Sequence, residues 1–323
     1  MAKHIEVLYT VLEVLIAVAC CLGNLLVIWA VWACGAMRRQ PTFCFIVSLA
    51  VADFLVGAVA VPMAVLVDGR VRTSFYGCVT LCSVVVILPL ASIHSLMAIA
   101  LDRFLRVYIP HRYKGVVTQF HSWSIVGVCW FSAGILGFIP MFGWYRHDTL
   151  EYMEASNSTT ITCTFLAVIP MPYIVNFIFL TCLLPPMLLM MVLYFYIFRR
   201  IHQQLRGHGL GGSESRSRSY YQKERKLTRS LAVILALFAV SWLPLHFMNI
   251  TSFYGTLVPH QAFYVGILLS HANSAVNPVV YAWKIRKIKS AFKMLWSRYL
   301  LCMEYQETPG GSQVTNSTST TRN

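Results

Sequence analysis

The sequence predicts an all-α membrane protein: a seven-transmembrane helix bundle followed by a short amphipathic eighth helix. Three observations predict it. The 323 residues are 57% hydrophobic and only 12% charged, where soluble domains run about 45–50% apolar and about 25% charged. The apolar residues gather into seven long runs, each at least as long as the roughly 20 residues that cross a bilayer core. The basic residues fall almost wholly on one side of those runs.

In order, the runs are Val7–Trp32, Thr42–Leu66, Phe75–Val107, Ser122–Phe142, Tyr173–Ile201, Leu227–Phe253 and Gln261–Trp283. Hydrocarbon offers no partner to a backbone N–H or C=O, so each run is expected to be a helix. The first run is too long for a signal peptide and lacks a basic leader, so it reads as a retained helix. The segment before it is too short to form a capture domain.

The net charge of +14 would suit nucleic acid, but its placement argues for topology instead. With the N-terminus outside, 22 of the 26 Lys and Arg fall on the cytoplasmic side, leaving only Lys3, Arg70, Arg72 and Arg146 outside. That is the positive-inside pattern. No nucleic-acid partner is expected. Contact with anionic membrane lipids is, at about 1 kcal/mol per basic residue near the surface.

Residues 1–300 read as one domain without an internal repeat, and 301–323 as a disordered cytoplasmic tail. The Gly/Ser/Arg stretch Gly207–Ser219 reads as a flexible linker. Basic and apolar residues alternate at helical spacing from Lys284 to Leu295, as in a helix lying on the inner membrane surface. Cys302 follows, as a palmitoylation site or a free juxtamembrane thiol with equal weight. Most of the ten cysteines sit inside helices, but Cys78 and Cys163 occupy outer positions, where an oxidising exterior favours a disulfide. Asn157-Ser-Thr, on the long outer loop, is a glycosylation sequon. Asn249-Ile-Thr is also one formally, but it lies at a helix end near the bundle.

Polar groups inside a membrane span are costly and mark function by default. Three acids lie in or beside helices: Glu13, Asp53 and Asp102. Asp53 shares the midplane with Asn24, Ser92, Asn273, Ser274 and Asn277. Such oxygens suit a sodium ion, held chiefly by Asp53 and Ser92; a network that only ties helices together weighs equally. Asp102-Arg103-Phe104 places an ion pair at the inner end of the third run, either a releasable switch or an ordinary charge pair. Trp242-Leu-Pro244 and Asn277-Pro-Val-Val-Tyr281 interrupt the helical ladder of the sixth and seventh runs.

Taken in order, Gly23-Asn24, Leu49-Ala-Val-Ala-Asp53, Asp102-Arg103-Phe104, Trp130, Pro186 with Tyr194, Trp242-Leu-Pro244 and Asn277-Pro278 to Tyr281 resemble the rhodopsin-like G-protein-coupled receptors. Further stretches, including Phe43–Ala50, Pro140–Trp144, Ser241–His246 and Gly266–Ser274, are similar to adenosine receptors, most of all the third subtype with some features of the first. The resemblance implies a multi-pass plasma-membrane receptor with an extracellular N-terminus. It also implies adenosine or a related nucleoside as ligand, an inhibitory heterotrimeric G protein as partner, and lowered cyclic AMP. Phe165 is then expected to stack on adenine and Asn249 to pair with its edge. Leu245, Met171 and Ile267 would wall the ring, with His246 deep below it. Ser270 and His271 would reach the ribose, with Glu13 orienting His271, and Trp242 would sense ligand depth. Asp102, Arg103, Tyr194 and Tyr281 would form the switch facing the G protein.

Four positions depart from the family pattern. Pro89 stands where a ribose-binding Thr or His is found, Ile178 where a polar residue is usual, Leu166 where some subtypes carry an acid, and Phe104 where Tyr is usual. Other classes fit less well. The seventh run has no Lys for a Schiff base, Val85 and Val86 replace the acid that binds amines, and there are no repeated halves as in transporters. No metal-ligand motif or nucleophile elbow suggests an enzyme.

Overall fold

The computed structural model describes residues 2–206 and 212–295. Seven long helices span the bundle: α1 (Ala2–Ala33), α2 (Pro41–Asp68), α3 (Phe75–Tyr108), α4 (Gln119–Phe142), α5 (Tyr173–Arg206), α6 (Gly212–Phe253) and α7 (His260–Lys284). An eighth, α8 (Arg286–Leu295), follows a break at Ile285. The seven expected runs each fall inside one of these helices.

The first six are long and apolar enough to cross a membrane by themselves. In α7 the apolar character is diluted by Ser270, His271, Asn273, Ser274 and Asn277, all buried. Those polar side chains turn inward, so α7 is tolerable in lipid only as part of the bundle. The outer faces are correspondingly apolar: Leu15 on α1, Val128 and Phe131 on α4, and Phe195 on α5 are all exposed. A soluble monomer does not carry so continuous an apolar surface, whereas a bilayer covers it.

Local chemistry sets the helix ends. Ser74 caps α3, its hydroxyl oxygen accepting from the Gly77 N–H at 3.1 Å, and Thr118 caps α4 by accepting from the His121 N–H at 3.3 Å. Pro41 begins α2, where its missing N–H costs nothing. Two helices widen into π turns, at Val56–Ala60 in α2 and Tyr173–Leu183 in α5. Each lies just ahead of prolines, Pro62 and the pair Pro185-Pro186. A proline lacks its N–H and presses on the carbonyl four residues back, and a π turn accommodates both. α3, in contrast, runs through Pro89 without a break.

α1 and α2 meet at Gly57. A Cβ there would come 2.6 Å from Cys20 Cβ and 2.7 Å from the Ala17 carbonyl oxygen, the close approach that small residues permit between membrane helices. Gly57→Ala is therefore expected to destabilise the protein by about 1–3 kcal/mol through overpacking, read as a lowered melting temperature in detergent. An unchanged Tm would show that the two helices separate freely.

Two expectations change. The linker expected over Gly207–Ser219 is helical from Gly212, because α6 propagates through it: adding a residue to a formed helix is far easier than nucleating one. The surface helix begins at Arg286 rather than Lys284, and it buries Ile288 and Ala291 instead of offering its whole apolar face to lipid. Cys302 and the tail 301–323 lie outside the described residues.

Candidate functional site

The polar residues fall into three tiers along the bundle axis. At the outer tier, β1 (Arg72–Thr73) pairs antiparallel with β2 (Ile161–Thr162), and the next residue, Cys163, is bonded to Cys78 at the start of α3 with Cα atoms 5.5 Å apart. The Cys163 N–H donates to the Val71 carbonyl at 2.8 Å, extending the ladder. This double tether holds the outer loop down and sets Phe165, which opens a short helix (Phe165–Val168), half-buried against the bundle, as is Met171. Asn157 lies exposed in a turn just after the helix His147–Ala155, at φ 52°.

On α7, His271 Nδ1 meets both oxygens of fully buried Glu13, at 3.0 and 2.8 Å. A carboxylate only accepts, so Nδ1 donates to Glu13, and Nε2 takes no part in that pair. Tyr9, one helical turn outward of Glu13 on α1, stacks on Tyr264 at 4.3 Å. Ser270 is buried on α7 as well. Its hydroxyl donates to the Ile267 carbonyl at 2.7 Å, so its proton is already engaged and only its lone pairs remain for a ligand. Gly266 lets α7 close on α6: a Cβ there would lie 3.3 Å from Leu245 Cα and would strike Met248 Cε. That contact brings together the faces carrying Ile267 and Leu245.

His246 forms the floor. Its ring stacks between Phe179 of α5 at 4.6 Å and Trp242 at 5.8 Å, and Trp242 stacks on Phe238 at 6.0 Å. His246 is 5% exposed, and neither ring nitrogen has a hydrogen-bond partner. Such groups cost about 1–3 kcal/mol unless something pairs with them. Asn249 stands one turn outward on the same helix, half-buried like Leu245. Pro89 and Ile178 are both buried and add only apolar surface, whereas Leu166 is exposed.

At the middle tier, Asn277 Nδ2 donates to Asp53 Oδ2 at 2.7 Å and the Ser92 hydroxyl to Asp53 Oδ1 at 3.5 Å. Asn24 Nδ2 donates to the carbonyls of Cys20 and Ser274, at 2.9 and 3.0 Å. The side-chain oxygens of Asn24, Asn273 and Asn277 are buried without a donor. A fully buried carboxylate, with unpaired amide oxygens on the helices beside it, offers oxygen donors of the kind a hard cation takes.

At the inner tier, Arg103 is 1% exposed. Its Nε donates to Asp102 Oδ2 at 3.1 Å, its Nη2 contacts Asp102 and Thr42, and its Nη1 donates to Glu224 Oε2 at 2.9 Å. Thr42 donates to Asp102 at 2.7 Å, and the Tyr113 hydroxyl donates to the other carboxylate oxygen. Burial and the neighbouring Asp102 charge raise the Tyr113 pKa above the ordinary tyrosine value, which keeps it a donor. Tyr194 and Tyr281 are buried nearby in the inner half of the bundle, with the Tyr281 hydroxyl unpaired. Phe104 stacks on Tyr108 at 4.3 Å, outside the cluster.

Sequence reasoning missed Glu224, the partner that ties α3 to α6. It stands in Lys223-Glu-Arg-Lys226, where the eye counts basic charge. The available signal was a lone acid in a basic run, four residues before Thr228, on the face that proves to be buried. Thr42, Tyr113, Tyr9 and Tyr264 were missed as well. They carry no pattern of their own.

An inward-facing polar core, a tethered outer loop and a buried Arg cluster at the inner face define a seven-helix receptor. Residues 23–281 match the model for the "7 transmembrane receptor (rhodopsin family)". The chain is 40% identical to adenosine receptor A3 of Canis lupus familiaris, across 92% of this chain and 93% of that one. It is 40% identical to adenosine receptor A3 of Bos taurus, across 92% of each, and to adenosine receptor A2b of Mus musculus, across 98% and 97%. The chain belongs to the adenosine receptor family within the rhodopsin-type receptors, and it is a multi-pass plasma-membrane protein and not an enzyme.

Proposed function

We propose that this receptor binds adenosine or a closely related nucleoside at the outer tier and signals through inhibitory G proteins to lower cyclic AMP. The observation that carries the ligand reading is the pair of histidines on facing helices. His271 is oriented by Glu13 with its Nε2 open, and His246 has both nitrogens buried and unpaired. A purine nucleoside supplies what they lack: a flat π face for Phe165, a donor–acceptor edge for Asn249, and hydroxyls for the imidazoles.

The route to the inner face follows the stacked column. Ligand at His246 bears on Trp242 and, through it, on Phe238, all on α6; His246 and Trp242 each lie two residues from Pro244, which removes the hydrogen bond to the Val240 carbonyl. Only a difference in affinity between two states shifts their balance. Here the states differ in whether α6 keeps Glu224 on Arg103.

The middle tier accepts a sodium ion by its donor set, with Asp53 and Ser92 as ligands. A bound cation supplies the positive charge that a buried carboxylate otherwise lacks, and it favours the closed packing around Asp53. Raising sodium is expected to weaken agonist binding several-fold in the wild type and to have no effect in Asp53→Asn. Equal sodium dependence in both proteins would remove the ion from this site.

Inhibitory coupling rests on the similarity to the third and first subtypes. Cyclic AMP measured in cells expressing the receptor, with adenosine titrated with and without pertussis toxin, tests ligand and coupling together. A toxin-sensitive fall supports the reading. A rise reassigns the coupling, and no response at any concentration refutes the ligand.

A further inference from the structure

The outer disulfide has a third sulfur beside it. Cys82 is fully buried on α3, four residues beyond Cys78 and therefore on the same helix face. The sulfurs of Cys78, Cys82 and Cys163 all lie within 4.8 Å of one another. Among the described residues this is the one group of three or more potential soft-metal or thiol ligands drawn together in this way.

We propose that Cys82 is a resolving thiol for the Cys78–Cys163 bridge, so that the outer loop has two alternative covalent anchor points on α3. Once the outer loop loosens and water reaches the otherwise buried Cys82, its thiol gives its proton to that water, and the sulfur attacks Cys163 Sγ. The Cys78–Cys163 bond breaks, and Cys78 leaves as a thiolate and takes up a proton. One S–S bond is exchanged for another, and no oxidant or reductant is consumed.

Geometry selects this direction over the other. Attack on Cys78 would join residues one turn apart on a single helix, whose Cβ atoms are about 5–6 Å apart, whereas a disulfide needs roughly 3.5–4.5 Å. Cys163 is on another segment and is free of that constraint. Its present pairing with Cys78 is held by the β1–β2 ladder and by the Cys163 N–H bond to Val71. Exchange therefore requires that ladder to loosen, which makes it a gated event. Its consequence is a shift of the tether by one turn, about 6 Å along α3, towards the bundle interior. Phe165, two residues after Cys163, must follow.

The test is disulfide mapping of the full receptor in membranes. Samples are incubated in mildly alkaline buffer with trace glutathione, then acid-quenched, alkylated and digested without reduction. A Cys82–Cys163 peptide that rises with incubation to at least several per cent of total Cys163 is the expected result. Recovery of Cys163 only with Cys78 or as the free thiol, at every glutathione level, overturns the proposal. A Cys78→Ser receptor gives a second reading. Cys163 should stay protected from alkylation there and become fully alkylated in Cys78→Ser/Cys82→Ser; a free Cys163 in the surface-expressed single variant also overturns it. If Cys78→Ser does not reach the surface, the wild-type map decides alone. Neither measurement depends on the identity of the ligand.

Discussion

Asn249→Ala is expected to lower nucleoside affinity at least 100-fold while leaving the receptor at the cell surface. The side-chain amide is the one group near the mouth of α6 that offers a donor and an acceptor side by side, which is what an adenine edge requires. Its removal deletes two hydrogen bonds and leaves the ligand's amine and ring nitrogen desolvated. At about 1–3 kcal/mol for each group left unpaired, and about 1.4 kcal/mol per tenfold in Kd, the loss reaches two decades or more. Surface expression should hold because Asn249 is only half-buried and its amide is not among the contacts that join the helices. Radioligand saturation binding on intact cells, with surface receptor counted by antibody, measures both quantities. An affinity within threefold of wild type would place the purine elsewhere.

Glu224→Ala is expected to raise ligand-independent signalling about tenfold and to lower thermal stability. The Glu224–Arg103 contact at 2.9 Å is the direct ion pair between α3 and α6 at the inner face. Removing one partner of a buried pair costs about 3–5 kcal/mol when the other is stranded. Arg103 keeps Asp102 and Thr42, so the cost lies below that range, and about 1.4 kcal/mol already multiplies the open population tenfold. Basal nucleotide exchange on a purified G protein, without ligand, reads the effect. Glu224→Gln should fall between alanine and wild type, because an amide retains a hydrogen bond without the charge. Basal exchange equal to wild type in both variants would mean that the pair does not hold the closed state.

Much of this architecture was legible before any coordinates. The seven spans are long apolar runs, and a bilayer leaves such runs only one structure to adopt. Asp53, Arg103 and Glu13 stood out because a charge in hydrocarbon is conspicuous against its neighbours. The Cys78–Cys163 bridge followed from position alone. The misses have physical causes as well. Glu224 was hidden because a charge near the membrane edge looks solvated until its burial is known. What sequence shows of Ser270 is a hydroxyl and not where its proton goes; α7 turns that proton onto its own backbone. The stretch beginning at Gly212 has the composition of a linker, yet it extends an existing helix.

That continuous α6 has a mechanical consequence. Pro244 and Glu224 are 20 residues apart, about 30 Å along a helix axis. A change of only about 10° at a proline hinge therefore displaces Glu224 by about 5 Å, far beyond ion-pair range. The helix acts as a rigid arm that converts a sub-ångström adjustment under the ligand into an all-or-none break at the inner face. Gly212 is farther along the same arm and must travel farther still, so the receptor's largest motion falls on the surface that faces the cytoplasm.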